Sequence, residues 1–514
     1  MDNYTVLAMK SNDRDIHEVL DSTNWIDVAA VLVTAAVSRL LLFFFHADVG
    51  DSSTYELLAE NILRGCGLSF SEPTSTSCIL ASGGYFPGYP AFMALNWFLF
   101  GRSNFPILLF QLGCYLLSLY WLLTALGKLT NSRKVVLSVG MLLAISPLQI
   151  GWFRFVITEP LAIASATWFL AELVISLAIG KIRKYHLALA LSISIYIRPD
   201  TILMGVSVVA VAFSLYDIKN SVKQIFIVGL LTSIPVSGWM IRNLIIGHAP
   251  LSIASEVAPK APGYFFWLNT WVVNEYERAD ANFPVWRSEY SKINLHHSKY
   301  VNDDELKTAQ KLIQELSVTD GKPFPKDIDK KFDELASLKI QNRNDFMPYA
   351  IYIERAGWLL FNPFSSWGLA LEIKDINKSS LKDAMVGFDL YRTMSLLNGY
   401  KSIIAGKIII FFYRLILFIG FILIFCYAFF ERVHTRTVFL NSSVKGLVGG
   451  VASAAVTRLA FFVYLGGLES RYLVEAVPWV EFCVVLWLVG NDRIVVSKAL
   501  IEVDPIVRTN SSVV

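Results

Sequence analysis

Long apolar blocks divided by short polar stretches leave this chain few ways to fold. They fall at residues 25–45, 105–126, 135–153, 157–179, 186–197, 201–215, 225–244, 403–430, 444–465 and 473–489. Crossing a bilayer takes about 20 mostly apolar residues in a helix. Backbone groups in hydrocarbon must be satisfied within the segment, which favours helices. The expected fold is therefore all-α and integral to a membrane, with about ten transmembrane helices. Composition agrees: 54% of the 514 residues are hydrophobic and 17% charged, against about 25% charged in soluble domains. A net charge of +3, with no basic patch interleaved with aromatics, argues against a nucleic-acid partner. The first 24 residues are polar and include Asp13, Arg14, Asp15, Glu18 and Asp21. That is not a secretory signal, so the first block is expected to stay as a span.

Topology turns on segment 83–101, which is apolar but short and carries two prolines. If it spans, the loops 128–134 and 180–184 share a side with Asp51. If it is re-entrant or interfacial, they share a side with the N-terminus. Lys128, Arg133, Lys134, Lys181, Arg183 and Lys184 stand in those loops without an acidic residue. Cytoplasmic loops collect such charge, so 83–101 is read as a juxtamembrane element and both termini as cytoplasmic. This divides the chain into an N-terminal membrane module (1–246, with a first outer loop at 46–104), an extracytoplasmic loop domain (247–402), C-terminal spans (403–490) and a tail (491–514). Within 247–402, residues 303–316 are expected to be helical, and 265–273 and 358–371 to lie along the membrane face.

Charged groups at membrane depth are costly and mark function. Asp51 follows the first span, where Ser53 and Glu56 fit a capping box and a carboxylate suits a helix start. A carboxylate held there can also accept a proton from a hydroxyl. Glu159 opens the fourth span behind Thr158, read as the cap, and ahead of Pro160. Asp51 and Glu159 fall on one predicted face. Arg198 and Asp200 interrupt apolar sequence, either as a local ion pair or with Arg198 offering its fork to phosphate. Arg242 suits an interfacial anchor, and Arg458 must face a partner or a cavity. Glu469, Arg471 and Tyr472 form a tight outer turn, with Arg471 either paired to Glu469 or clamping a phosphate. Asp48, Asp51 and Glu159 are the candidate ligands if a divalent metal is used. Cys66 and Cys78 share one polar loop and can pair in an oxidising compartment; the sequence leaves that open. Cys114, Cys426 and Cys483 read as buried apolar residues. There is no Walker loop or dinucleotide fingerprint, no zinc spacing around the isolated His296-His297 pair and no Gly-x-Ser-x-Gly elbow.

The order of these features resembles the GT-C superfamily of glycosyltransferases. The branch most like it holds the aminoarabinose, protein mannosyl and rhizobial lipopolysaccharide sugar transferases. The resemblance rests on Asp51-x-x-x-Tyr55-x-x-Leu58-Ala59 with Gly65, on Phe86-Pro87-Gly88-Tyr89-Pro90 ending in Phe100-Gly101, and on Glu159-Pro160. Arg198-Pro199, Arg242-Asn243 and Glu469-x-Arg471-Tyr472 complete it. It covers about residues 25–246 and, loosely, the last two spans. It implies a polyprenyl-phosphate-linked sugar donor, a glycan, glycolipid or protein acceptor, membrane lipid as surroundings, and an extracytoplasmic site in the plasma (inner) membrane. It also implies Asp51 as general base and Glu159 as its assistant. Tyr55, Tyr89, Arg198, Arg242, Glu469, Arg471 and Tyr472 would bind substrate. Two positions depart from the pattern. Ser52 stands where a second acid is usual, and Phe86 where a basic residue often precedes Pro-Gly-Tyr-Pro, so phosphate contacts fall to Arg198 and Arg471. A lipid-linked oligosaccharide polymerase or ligase is a second reading. A flippase is a third, disfavoured by the lack of repeats with paired broken helices.

The topology predicts that a cysteine placed at Ser132 reacts with a membrane-impermeant maleimide only from the cytoplasm. Labelling from outside would invert the assignment.

Overall fold

The computed structural model describes residues 25–45, 50–70, 78, 85–130, 132–246, 261–295, 298, 300–341, 347–362, 365, 367–369, 401–434 and 442–490. Among these residues the secondary structure is helical, with no strand. In chain order the membrane module has α1 (Trp25–Phe43), α2 (Gly50–Leu63), α3 (Gly88–Phe100), α4 (Asn104–Thr130), α5 (Arg133–Ile145), α6 (Thr158–Ala178), α7 (Lys184–Ile197), α8 (Val206–Leu215) and α9 (Ile218–Ile245). A cap follows, made of α10 (Pro262–Leu268), α11 (Glu275–Trp286), α12 (Asp303–Ser317), α13 (Lys326–Gln341) and α14 (Met347–Phe361). Helices α15 (Lys401–His434), α16 (Ser442–Leu465) and α17 (Val477–Gly490) return to the bundle.

Among the described residues six helices are long and apolar enough to cross a membrane: α1, α4, α6, α9, the Ser402–Ile424 part of α15, and α16. The protein is thus a multi-pass, all-α membrane protein. Its surface agrees. On α9, Ile218, Val222, Phe226, Leu230 and Ile234 recur every four residues and are all exposed. Such a stripe would be costly in water and suits lipid. Helix α6, by contrast, is buried nearly all round and packs along α4.

Several boundaries differ from expectation. The block 135–153 ends as a helix at Ile145 and continues as a 3₁₀ turn, Ile150–Arg154, because Pro147 denies the helix a donor. At Arg198-Pro199 the chain breaks into α7, a 3₁₀ turn (Pro199–Gly205) and α8. The last helix starts at Val477, after a 3₁₀ turn at Ser470–Leu473. Within segment 83–101 the helix is the 13-residue α3. Its start sits tight against α7: a Cβ on Gly88 would lie 2.5 Å from the Tyr196 carbonyl oxygen. Ser53 lies inside the first turn of α2 and so cannot cap it. Ile157 is the cap residue of α6, with Thr158 as its first helical residue.

Buried polar groups tie the bundle together. Arg39 of α1 donates to the carbonyls of Leu143 (3.2 Å) and Ala144 (2.8 Å) at the end of α5, where the helix dipole favours a cation. Glu481 of α17 accepts from Gln149 (2.5 Å), Tyr413 (2.7 Å) and Ser146. Cys66 and Cys78 are joined, with Cα atoms 5.4 Å apart. Cys483 is buried, and Cys114 and Cys426 are partly so.

The cap has its own core. Trp267 and Trp271 are fully buried among Tyr264, Phe324 and Phe332. Most apolar side chains of segment 265–273 therefore pack within the cap, while Phe266 stays exposed. Trp367, from 358–371, is buried against the bundle instead. Helix α12 runs as expected, capped by Asn302, whose side chain accepts from the Glu305 amide at 2.8 Å. His296 and His297 lie outside the described residues. Arg355 of α14 fixes the cap to the bundle. It is buried and donates to the carbonyls of Val272 (2.8 Å), Asn269 (2.9 Å) and, on α16, Val463 (3.1 Å). Arg355→Met removes charge-assisted bonds and strands buried carbonyls, a loss of about 3 kcal/mol. Amide exchange over 262–286 should then speed up roughly 100-fold; unchanged exchange would show that Arg355 does not hold the cap.

Candidate functional site

The site forms where four chain breaks meet: the start of α2, the start of α6, the α7–α8 break and the turn between α16 and α17. Each break puts a polar residue at a helix end. Asp51 and Glu159 stand in first turns, where the helix dipole favours a carboxylate. Arg198 caps the 3₁₀ turn after α7. Arg471 lies in the 3₁₀ turn Ser470–Leu473.

These side chains converge. Arg471 Nη1 is 2.5 Å from Asp51 Oδ2 and 3.9 Å from Glu159 Oε1, and its Nε is 2.5 Å from Glu469 Oε2. Arg198 Nη1 reaches Glu159 Oε1 at 3.1 Å. The expected local pair of Arg198 with Asp200 forms at 3.4 Å. Arg198 Nε also meets Glu475 Oε1 at 2.9 Å. Arg458, within α16, bonds Asp200 and Glu475 (2.6 Å) and donates to the Tyr472 carbonyl at 2.6 Å. The continuous network thus holds five carboxylates and three guanidiniums. Five members, Glu159, Asp200, Arg198, Arg458 and Glu475, are almost fully buried.

Exposure sorts the two carboxylates. The Asp51 side chain is 45% exposed and that of Glu159 3%. Asp51 is open to an incoming molecule. Glu159 is enclosed, engaged by Arg198 and by the Thr158 hydroxyl at 3.2 Å. The arginines sort likewise. The Arg198 side chain is 9% exposed and bonded to three acids, whereas that of Arg471 is 26% exposed. Arg471 is the cation that a ligand can reach without dismantling the buried pairs.

Aromatic rings line the network. Tyr55 packs edge-on against Tyr89, with centroids 5.0 Å apart, and Tyr89 accepts from Gln111 Nε2 at 2.8 Å. The rings of Tyr472 and Phe462 stack at 4.7 Å, and Arg198 and Arg471 each approach Tyr472 at 5.7 Å. Burial, then Glu159 and Asp51, raises the Tyr55 hydroxyl above its usual range. Tyr472 is pushed up to about 12, first by Glu469 and then by burial. Both stay protonated at neutral pH and can donate. Burial alone would lower Arg471, but Glu469, Tyr472, Asp51 and Glu159 outweigh it, so the group stays charged.

Arg242 behaves differently. Its contacts run to Asn243 (3.0 Å), the Leu68 carbonyl (3.4 Å) and the Trp239 ring (4.6 Å). These contacts suit the anchor reading. Ser52, in place of the second acid, is buried. Asp48 lies outside the described residues. The donor set does not fit a metal: a guanidinium stands between Asp51 and Glu159, and among the described residues no three His, Cys, Asp or Glu side chains are arranged to hold an ion.

Glu475, Arg458 and Asp200 belong to the site although sequence reasoning did not place them there. Glu475 carries the clearest overlooked signal, a lone acid in the apolar run Leu473-Val474-Glu475-Ala476-Val477. Compared with family models, curated proteins and solved structures, the chain gives no match.

Arg458→Leu leaves the buried acids Asp200 and Glu475 to share Arg198. The unfolding midpoint in nanodiscs should fall by an amount equivalent to about 3–5 kcal/mol. Adding Glu475→Gln should recover part of that loss, as coupled partners do. Strictly additive losses would remove Arg458 and Glu475 from one network.

Proposed function

We propose that the protein is an inverting glycosyltransferase of the GT-C type. It moves a sugar from a polyprenyl-phosphate-linked donor to an acceptor hydroxyl on the extracytoplasmic face of the plasma (inner) membrane. One observation carries the reading: Asp51, open to solvent, and Glu159, enclosed, come from distant parts of the chain and meet across Arg471. The Cys66–Cys78 bond adds support for the side, since disulfides persist in oxidising compartments. A ten-span count takes α5, α7, the Pro199–Leu215 segment and α17 as short crossings shielded by neighbouring helices.

In this reading Asp51 accepts the proton of the acceptor hydroxyl as its oxygen attacks the anomeric carbon from the face opposite the phosphate. The bond from that carbon to the phosphate oxygen breaks, and polyprenyl phosphate leaves with the bonding pair. Arg471 takes up the growing negative charge, an electrostatic role of the oxyanion kind. Before donor binds, Arg471 is engaged by Asp51 and Glu469. A phosphate that draws Arg471 toward itself also releases Asp51. Activation of the acceptor then follows donor binding, which limits wasteful hydrolysis. Glu159 holds Arg198 and the start of α6 in register, a positioning role. Tyr55, partly exposed and backed by the buried Tyr89, offers an aromatic wall for the sugar.

The test is a purified-protein assay with a polyprenyl-phosphate hexose. Released polyprenyl phosphate and a glycosylated acceptor are expected. Movement of the intact lipid across a vesicle without release would support a transporter instead. Asp51→Asn should lower transfer by about 10²–10⁴-fold while the protein still binds polyprenyl phosphate. Wild-type turnover in that variant would remove Asp51 from the base role.

A further inference from the structure

Helix α2 presents two faces. Tyr55, Ala59 and Ile62 pack into the bundle with Tyr89 and Met93 of α3. Glu56, Leu57 and Glu60 recur at one-turn spacing on the other side of the same helix. These three line a cleft of about 490 Å³, completed by Trp97 of α3 and by Arg102 and Asn104 at the junction of α3 and α4. The cleft lies on the side of α2 turned away from Tyr55, apart from the carboxylate network.

Its charges are ordered along the cleft. Arg102 is paired with Glu60, and its guanidinium stands 5.7 Å from the centre of the Trp97 ring. The Arg102 side chain is 62% exposed, so this pairing leaves it donors within reach of a ligand. Asn104 opens the 27-residue α4, where the helix dipole favours negative charge. This end of the cleft therefore suits an anion. Glu56 stands one turn along α2 from Glu60, a rise of about 6 Å. It is half-buried and has no ion-pair partner among the described residues. A carboxylate in that position suits a cation with N–H groups to donate.

The surroundings indicate what brings the two charges in together. Leu95, Phe98, Leu99 and Phe100 of α3 and Phe105 of α4 are all exposed. They flank Trp97 and Arg102 in the chain and form an apolar rim that suits hydrocarbon. Helix α4 is itself one of the membrane-crossing helices. The cleft thus stands where hydrocarbon gives way to water, the depth at which a phospholipid presents its phosphate. Two carboxylates against one guanidinium leave the lining net negative, which disfavours a purely anionic headgroup. A phosphoethanolamine carries its own cation, two carbons beyond the phosphate. Choline has no N–H to donate to Glu56.

We propose that this cleft binds the headgroup of a primary-amine phospholipid of the ethanolamine type, with the phosphate on Arg102 and the start of α4 and the ammonium on Glu56. The site does not depend on the transferase reading.

The experiment is native mass spectrometry of the delipidated full chain in detergent. The probes are dioleoyl phosphatidylethanolamine, phosphatidylcholine and phosphatidylglycerol in equal amounts. Wild type should retain the ethanolamine lipid above the other two. Glu56→Gln should weaken that binding about 10-fold, the value of a hydrogen bond to a charged group, and leave the unfolding midpoint unchanged. Arg102→Gln should weaken all three lipids. Equal retention of the three by wild type overturns the site, as does undiminished ethanolamine-lipid binding in Glu56→Gln. So does a Glu56→Gln loss shared equally by all three lipids, which would make Glu56 a residue of the fold. Soluble phosphoethanolamine binding as tightly as the lipid would place the ligand in water and also overturn it. Because the readout is lipid retention, a failed sugar-transfer assay leaves this site standing.

Discussion

Arg198 and Arg458 are buried within an apolar bundle, and an unpaired guanidinium there would cost several kcal/mol. Asp200 and Glu475 meet that demand between them, each bonded to both arginines. The four residues come from the α7–α8 break, from α16 and from the turn before α17. Their pairing therefore fixes how the broken helix docks against the C-terminal helices. Glu159 is bound to the same Arg198 and brings the start of α6 into place. The exposed part of the site, Asp51 with Arg471 and Glu469, is built on this buried footing.

The two layers differ in what they can do. Buried charges with full sets of partners are rigid, because moving one strands the others. Arg471 and Asp51 keep solvent on one side and can exchange partners at lower cost. In the proposed reading, a phosphate competes for a guanidinium in the outer layer without disturbing the inner one. The chemistry can thus be mobile while the bundle is not. The cap adds a third layer, fixed to the end of α16 by Arg355 and by Arg278.

Much of the site is legible in the chain because charge is rare in apolar sequence. Asp51, Glu159, Arg198 and Arg471 stand out as ions at the ends of blocks. Their convergence is not legible, since it depends on which ends share a membrane face and how helices cross. Asp200 reads correctly as a partner of Arg198 because only one residue separates them. Its second partner, Arg458, is 258 residues away. The cap shows the opposite limit. Helix α12 is plain from its period, whereas the run around Trp267 and Trp271 has the same local composition whether it faces lipid or a protein core. Only the neighbours Phe324 and Phe332 decide between the two. Short helices are misjudged for a similar reason: hydropathy reports apolar length, and Pro147 and Pro199 cut helices within stretches that remain apolar.

The contact at Gly88 limits the routes into the site. With no side chain there, the start of α3 presses its backbone against Tyr196 and Ile197 at the end of α7. Nothing as thick as an isoprenoid chain can pass through that seam. In the proposed reading a lipid tail threads another gap in the bundle, and a methyl group at position 88 would prise the seam apart beside Arg198, opening a leak rather than a door.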